Sequence, residues 1–223
     1  MHIEILVEDV SGKRAIGALL PGILGDLHTY NIHSYKGIGR IPRNMKDASD
    51  PSKRILLENL PKLLKGYGRT FQGYGPGYDG AVVIVCDLDD RNAVTFTDEL
   101  KAILGQCNPK PKARFYFAIE ESEAWLLGDL DAVRAAYPNA DDGILESYVN
   151  DRICGTWELL ADAVFPGGSK ALIRKGWQAV GAEKSKWAEK ITPHMDVEVN
   201  ASPSFRVFRD GVRSLGAPRS EQP

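Results

Sequence analysis

The sequence predicts an α/β protein: a mainly parallel four-stranded sheet flanked by helices, followed by a mostly helical C-terminal portion. Three observations lead there. Strand-like and helix-like segments alternate through the first 137 residues, the order expected of βαβ units. At least two of the strands are continuous apolar runs rather than alternating ones, which marks strands covered on both faces. From about Pro138 onward the alternation stops, and the better-defined segments are helical.

In chain order, "HIEILVE" is the first strand and "GKRAIGALLPGIL" a helix that Pro21 is expected to end or kink. "TYNIHSY", Thr29 to Tyr35, has the aromatic and alternating character of a second strand. Gly37 to Asp50 is expected to be a loop. "PSKRILLENLPKLLKGYG" opens with Pro51 near a helix start and carries Ile55, Leu56, Leu60, Leu63 and Leu64 at helical spacing. The overlapping glycine-aromatic run "GYGRTFQGYGPGYDG" reads as a second loop. "AVVIVCD" is the buried third strand, "AVTFTDELKAIL" its following helix, and "ARFYFAIE" the fourth strand, leading into the helical "SEAWLLGDLDAVRAAYP". Beyond it, "ESYVNDRICGTWELLADAVF" and "SKWAEKITPHM" are helix candidates, with Pro166-Gly167-Gly168 and Pro193 as punctuation. The expected organisation is an α/β domain over 1–137, a helical extension packed on it over 138–215, and a disordered tail over 216–223.

Composition excludes several classes. With 43% hydrophobic residues the chain can bury a real core, and a net charge of -2 means that nucleic acid would need a local basic surface. Cys86, Cys107 and Cys154 form no C-x-x-C pair, which argues against a disulfide framework or a zinc cluster. The start "MHIEILVED" lacks a basic n-region and a long apolar h-region, and no stretch has the apolar length of a membrane span. A cytoplasmic protein with no membrane partner is the expectation.

Three acidic groups fall at strand ends: Glu8 after the first strand, Asp87 and Asp89 after the third, and Glu120, Glu121 and Glu123 after the fourth. In parallel sheets, ligands bind beyond the carboxyl ends of the strands. Asp87 and Asp89, two apart, share a side if the segment is extended. Hard oxygen donors converging from several strands suit Mg²⁺ or Mn²⁺, and a cation would remove the repulsion among the acids. Each group also has a plainer reading. "DLDD" suits a turn with Asp90 or Asn92 capping the next helix, Glu8-Asp9 suits a helix start, and Glu120 to Glu123 suits a helix dipole.

"ILVEDVSG", "VVIVCDLDD" and "FAIEESEAWLLGD" together resemble, in order and in spacing class, the Toprim fold of topoisomerases, primases and OLD-type nucleases. That fold carries a glutamate after its first strand and Asp-x-Asp after its third. The nearest resemblance is to an uncharacterised family of small Toprim-like proteins, related to OLD-type and RloB-like nucleases. Its members carry Glu-x-Trp-Leu-Leu after the fourth strand and a late "SPSF" like Ser202 to Phe205 here. The resemblance implies a Mg²⁺- or Mn²⁺-dependent nuclease cleaving DNA or RNA. It also implies a part in anti-phage defence beside an ABC-type ATPase, or else a non-catalytic binding module of such an ATPase. Carried over, Glu8, Asp87 and Asp89 would be catalytic metal ligands. Glu123, with Glu120 or Glu121, would help hold a second ion, and Trp125 would pack beneath. Asp9, Val10 and Ser11 stand before Gly12, where many Toprim proteins place glycine directly after the glutamate; this fits the small-nuclease branch better than topoisomerases or primases. OLD-type nucleases also use a lysine on the scissile phosphate. "EKSKWAEK" offers Lys184, Lys186 and Lys190, and Lys186, before Trp-Ala, is the choice, with a solvated helix face as the alternative for each.

Arg40, Arg43, Lys46, Lys53 and Arg54 cluster between the second and third strands and would grip a phosphate backbone; Lys170, Arg174 and Lys175 form a second basic group. Tyr67, Phe71, Tyr74 and Tyr78 suit base stacking or, equally, anchoring a loop to the core. The histidines show no metal-ligand spacing. A Walker loop is missing, since "EDVSGKRA" lacks the first glycine and the Ser/Thr, and a haloacid-dehalogenase-like phosphatase would need Asp-x-Asp after the first strand.

Overall fold

The structure is a computed structural model of the chain, and it describes residues 1–42 and 51–216. Strands β1 (His2–Val7), β2 (Thr29–Ser34), β3 (Gly80–Asp87) and β4 (Ala113–Ala118) form one sheet in the order β2-β1-β3-β4, with every pairing parallel. The expected α/β class and helix-flanked parallel sheet are both present.

Alternation along the central strands sorts their side chains to the two faces. Ile3, Ile5 and Val7 of β1, with Ala81, Val83 and Val85 of β3, pack against α1 (Val10–Leu24). Leu6, Val82, Ile84 and Cys86 point the other way, against α2 (Leu56–Gly73) and α3 (Ala93–Gly105). The split follows from connectivity. The β1-to-β2 crossover runs outward and the β2-to-β3 crossover runs back over β1, so right-handed connections put their helices on opposite faces.

Asp9 caps α1, its carboxylate accepting from Gly12 N at 2.7 Å. The helix does not end at Pro21: it continues to Leu24, and Gly25, at φ 61°, closes it with an N–H donated to Pro21 O. Burial of Ile23 and Leu24 outweighs the hydrogen bond that proline removes. The expected glycine-aromatic loop is likewise helical as far as Gly73. Tyr67 and Phe71 pack on the core there, and Gly68 is required by crowding, because a Cβ would stand 2.1 Å from Pro109 O. Tertiary contact overrides the weak helix propensity of glycine. Phe71 then meets Tyr78 at 5.6 Å, and Tyr78 meets Tyr74 at 4.7 Å. These rings lie at the amino-terminal end of β3, the far end of the sheet from Asp87, and they anchor the chain rather than line the acidic edge.

After β4 come α4 (Glu123–Leu127), α5 (Leu130–Ala136), α6 (Asp142–Glu146), α7 (Thr156–Val164), α8 (Gly168–Arg174), α9 (Trp177–Ile191) and α10 (Pro203–Gly216). Leu126, Leu127, Val133, Leu160, Trp187 and Ile191 share a third apolar cluster. The last helix returns to the sheet: Phe205, Phe208, Val212 and Leu215 join the core on the α1 face. Tyr116 Oη would lie 2.1 Å from a Cβ at Gly211, so that glycine lets α10 close on β4. Arg43, Lys46 and residues 217–223 of the expected tail lie outside the described residues.

Candidate functional site

Strand order reverses between β1 and β3, and Glu8 and Asp87 stand at the carboxyl ends of those two strands. That is the switch point where a doubly wound sheet leaves a crevice. Asp87 N donates to Glu8 Oε2 at 3.3 Å across the gap. Glu8 follows directly on the apolar Ile5-Leu6-Val7 end of β1, and Asp9 turns the chain into α1 directly after it.

Burial pushes the Glu8 carboxyl up to about 7, helped by the charges of Asp89 and Asp9 and opposed by N–H donors from Asp87 and Ile38. Asp87 is held well above the carboxylate range by burial and then by Glu8, with Lys184 opposing and Glu123 and Asp9 adding to the rise. Neither acid has an ion-pair partner at contact distance among the described residues. The pair is short of positive charge.

The other expected ligands separate. Asp89 does not continue the extended alternation of β3. It sits at φ 50° beyond the strand end, and Arg91 Nη1 donates to its Oδ2 at 2.6 Å. Glu123 is 1% exposed, below the crevice, with Lys184 Nζ 3.1 Å from its Oε2. That oxygen is buried without an aligned hydrogen-bond partner. Lys184 also lies 3.3 Å from Glu121 Oε2. Burial raises Glu121 to about 7 against the pull of Lys184, and it raises Glu123 as well. For Lys184, burial would lower the pKa, but Glu123, Glu121 and Asp87 outweigh it and raise it.

Two expectations need correction. Lys186 faces away from the acids: it is 59% exposed and pairs with Glu183 at 2.9 Å. Positions two apart on a helix point roughly 200° apart, so only one of Lys184 and Lys186 can face the sheet edge, and that one is Lys184. Lys190 also turns elsewhere, its Nζ 5.2 Å above the Tyr137 ring. Glu120 does not join the acid pair either. At φ 61°, it accepts from Cys154 N at 3.2 Å, Gly155 N at 3.0 Å, Thr156 N at 2.9 Å and Thr156 Oγ1, which is the amino-terminal end of α7. Burial alone would raise its pKa, but those donors hold it below the usual range. Glu120 ties the β4 loop to α7. Glu120→Ala is expected to lower stability by ~1–3 kcal/mol in denaturant unfolding, by orphaning the buried Thr156 donors. Metal-dependent activity per folded molecule should be unchanged.

Trp125 does pack beneath the pair, 2% exposed, lining a narrow pocket with Glu8, Asp9, Cys86 and Asp87. The "SPSF" stretch holds it there. Trp125 Nε1 donates to Ser204 Oγ at 2.9 Å, Asn200 Nδ2 donates to Trp125 O at 2.8 Å, and Ser204 N and Ser202 Oγ donate to Asp151. Asn92 caps α3 through Val94 N and Thr95 N, so the capping alternative for the segment after the third strand is present. Arg40 and Lys53 are exposed, Arg40 beside Leu57, Arg91 and Phe96, and Arg54 Nη2 donates to Ser34 O at the end of β2 at 2.6 Å. Their loops adjoin the crevice, since Gly37 N donates to Glu8 O and Lys36 N to Arg54 O.

One residue of the site carries no sequence signal. Glu158, in the first turn of α7, has a buried unpartnered Oε2 and a carboxyl raised by burial and by Glu120, with Lys184 opposing. A glutamate at a helix start is ordinary, and only the docking of α7 brings it here.

Among the described residues, no group of three or more His, Cys, Asp or Glu side chains is placed to hold a metal ion. No helix among them is long and apolar enough to cross a membrane. A family model described as a domain of unknown function, DUF4276, matches residues 7–213. No curated protein and no solved structure matches the chain.

Proposed function

The chain belongs to the DUF4276 family, and we propose that it is a Toprim-like phosphodiesterase that cleaves nucleic acid with Mg²⁺ or Mn²⁺ held by Glu8 and Asp87. What carries this is the pair itself: two adjoining carboxylates at the switch point, both raised by burial and repulsion, neither ion-paired among the described residues. The donors fit the ion. Mg²⁺ keeps several waters and takes one or two carboxylates, with substrate phosphates completing its shell, so a two-carboxylate site suits it better than a closed cage would. When bound, the cation supplies positive charge to the phosphate and makes a water more acidic. The raised Glu8 carboxyl belongs to the metal-free pair, and a bound cation would favour its charged form and lower it again. Lys184 keeps Glu121 and Glu123 ordered beneath, and Trp125 closes the floor against solvent. Arg40, Lys53 and Arg54 at the rim would contact backbone phosphates, which makes binding salt-dependent. An ABC-type ATPase partner and a defence role follow from the Toprim resemblance alone.

The test is cleavage of labelled DNA and RNA by wild type and Asp87→Asn with Mg²⁺ or Mn²⁺, with and without a candidate ATPase. Cleavage by wild type alone supports the proposal. No cleavage in any condition leaves the non-catalytic module.

Stability should report the cation independently. Glu8 titrates near 7 when folded and near ~4.3 when unfolded, so its protonation favours the folded state. That contribution is full below about pH 4.3 and is lost as pH rises through about 7. The raised pKa values of Asp87 and Glu121 act in the same direction. Added Mg²⁺ should therefore raise the melting temperature more at about pH 8 than at about pH 5, where protons compete. Equal shifts at both would place the ion elsewhere.

A further inference from the structure

The amino-terminal end of α9 stands out from the body of the protein, and residues 173–178 are continuously exposed. Trp177 is 73% exposed and Ile173 44%. Large aromatics are mostly covered in a folded protein, and here, among the described residues, the indole's one ring contact is an edge contact with Trp157 at 6.3 Å. Trp177 continues the inward stripe of α9 formed by Val180, Trp187, Ala188 and Ile191, one turn past the point where the core ends. Seven residues further along that stripe is Lys184, so the ring and the acidic crevice share one helix face, about 10.5 Å apart along the axis.

The surroundings are cationic. Lys170 and Arg174 are exposed and make no ion pair among the described residues, and Lys175 has only the Phe165 ring, 4.8 Å from its Nζ. Of the neighbouring acids of α7, Asp162 is engaged, accepting from Ser169 N at 2.6 Å, and the Glu158 carboxyl is raised by burial, away from these cations. A flat exposed ring beside unpaired cations suits a ligand with alternating aromatic faces and anionic links.

We propose that Trp177, with Lys170, Arg174 and Lys175, is a platform for single-stranded nucleic acid, on which one base stacks while flanking phosphates meet the cations, at the exposed end of the helix whose buried Lys184 lies beneath the acid pair. The platform stands on its own residues; its use in cleavage at the acid pair rests on the phosphodiesterase reading. Stacking selects single strands, because a paired base offers no free face, and it is tolerant of sequence.

The experiment measures binding of a fluorescent oligothymidylate by anisotropy in EDTA, so that no strand is cut, using the full chain. Trp177→Ala should weaken binding about 5- to 150-fold, the range for one stacked base, while Trp177→Phe retains most of the affinity. Arg174→Ala with Lys175→Ala should reduce the salt slope by about one to two. A fully paired duplex should lose less than about 2-fold on Trp177→Ala, and the exposed position should leave the melting temperature unchanged. Wild-type affinity in Trp177→Ala, or no oligonucleotide binding by wild type, overturns the platform. So does concentration-dependent self-association that Trp177→Ala abolishes, which would make the ring a protein contact. Strand binding that depends on Trp177, without cleavage in any divalent cation, removes the phosphodiesterase and leaves the platform. Asp87-dependent cleavage with unchanged binding in Trp177→Ala does the reverse.

Discussion

Asp87→Asn is expected to abolish divalent-dependent cleavage while raising the melting temperature of the metal-free protein. Loss of one of two charged ligands removes several kcal/mol of charge stabilisation from the reacting phosphate, about 10³-fold in rate or more. The stability effect runs the opposite way. In the metal-free protein Asp87 is a buried carboxyl facing Glu8, with Glu123 and Asp9 adding to the repulsion. A neutral amide removes that repulsion and should gain on the order of 1–2 kcal/mol, or ~2–8 °C for a chain of this length. Addition of Mg²⁺ should then raise the melting temperature of wild type but not of the variant. Opposed changes in rate and stability separate a functional acid from a structural one, since replacing a helix cap or a satisfied ion-pair member lowers stability. If Asp87→Asn melts below metal-free wild type, the pair is not short of positive charge and the proposed site loses its support.

Lys184→Ala is expected to be the most destabilising single change in the crevice. Glu123 is 1% exposed and Glu121 half-buried, and both face the Lys184 ammonium. Removing the ammonium strands two carboxylates, for which breaking a buried pair gives ~3–5 kcal/mol, or about 6–20 °C. Lys186→Ala, two positions on, should cost no more than about 1 kcal/mol, because the Lys186 side chain is 59% exposed and its single partner is Glu183. Denaturant unfolding of the two variants side by side gives the comparison. Neutralising the stranded acids, with Glu121→Gln and Glu123→Gln added to Lys184→Met, should recover much of the loss. Equal stability of the two single lysine variants would mean that Lys184 is not buried against the acids.

Several parts of this site were legible from local pattern. Glu8 and Asp87 follow apolar strands, and any parallel sheet places such residues at one edge. Trp125 beneath the pair came from the Toprim resemblance, through its Glu-x-Trp-Leu-Leu segment, and not from spacing. Lys184 and Lys186 did not resolve, because both sit in one helical segment and the choice depends on which face of α9 meets α4. Glu120 misled for a related reason. Beside Glu121 and Glu123 in the chain it looks like their partner, yet a positive φ turns it towards the amino-terminal end of α7. The glycines between Gly66 and Gly73 pointed to a loop by propensity, and contact with the sheet and Pro109 made them helix.

By itself, the sequence determined the four strands, their parallel pairing and the edge on which the first and third strands deliver their acids. Those features depend on residue spacing along a strand and on the right-handedness of parallel crossovers, both consequences of the L-amino-acid backbone. Only the tertiary structure decided which acids meet, which lysine answers them and which tryptophan remains uncovered. Charge interactions at a few ångströms are set by how α7, α9 and α10 dock on the sheet, and that docking is fixed by apolar burial, whose direction no single segment encodes.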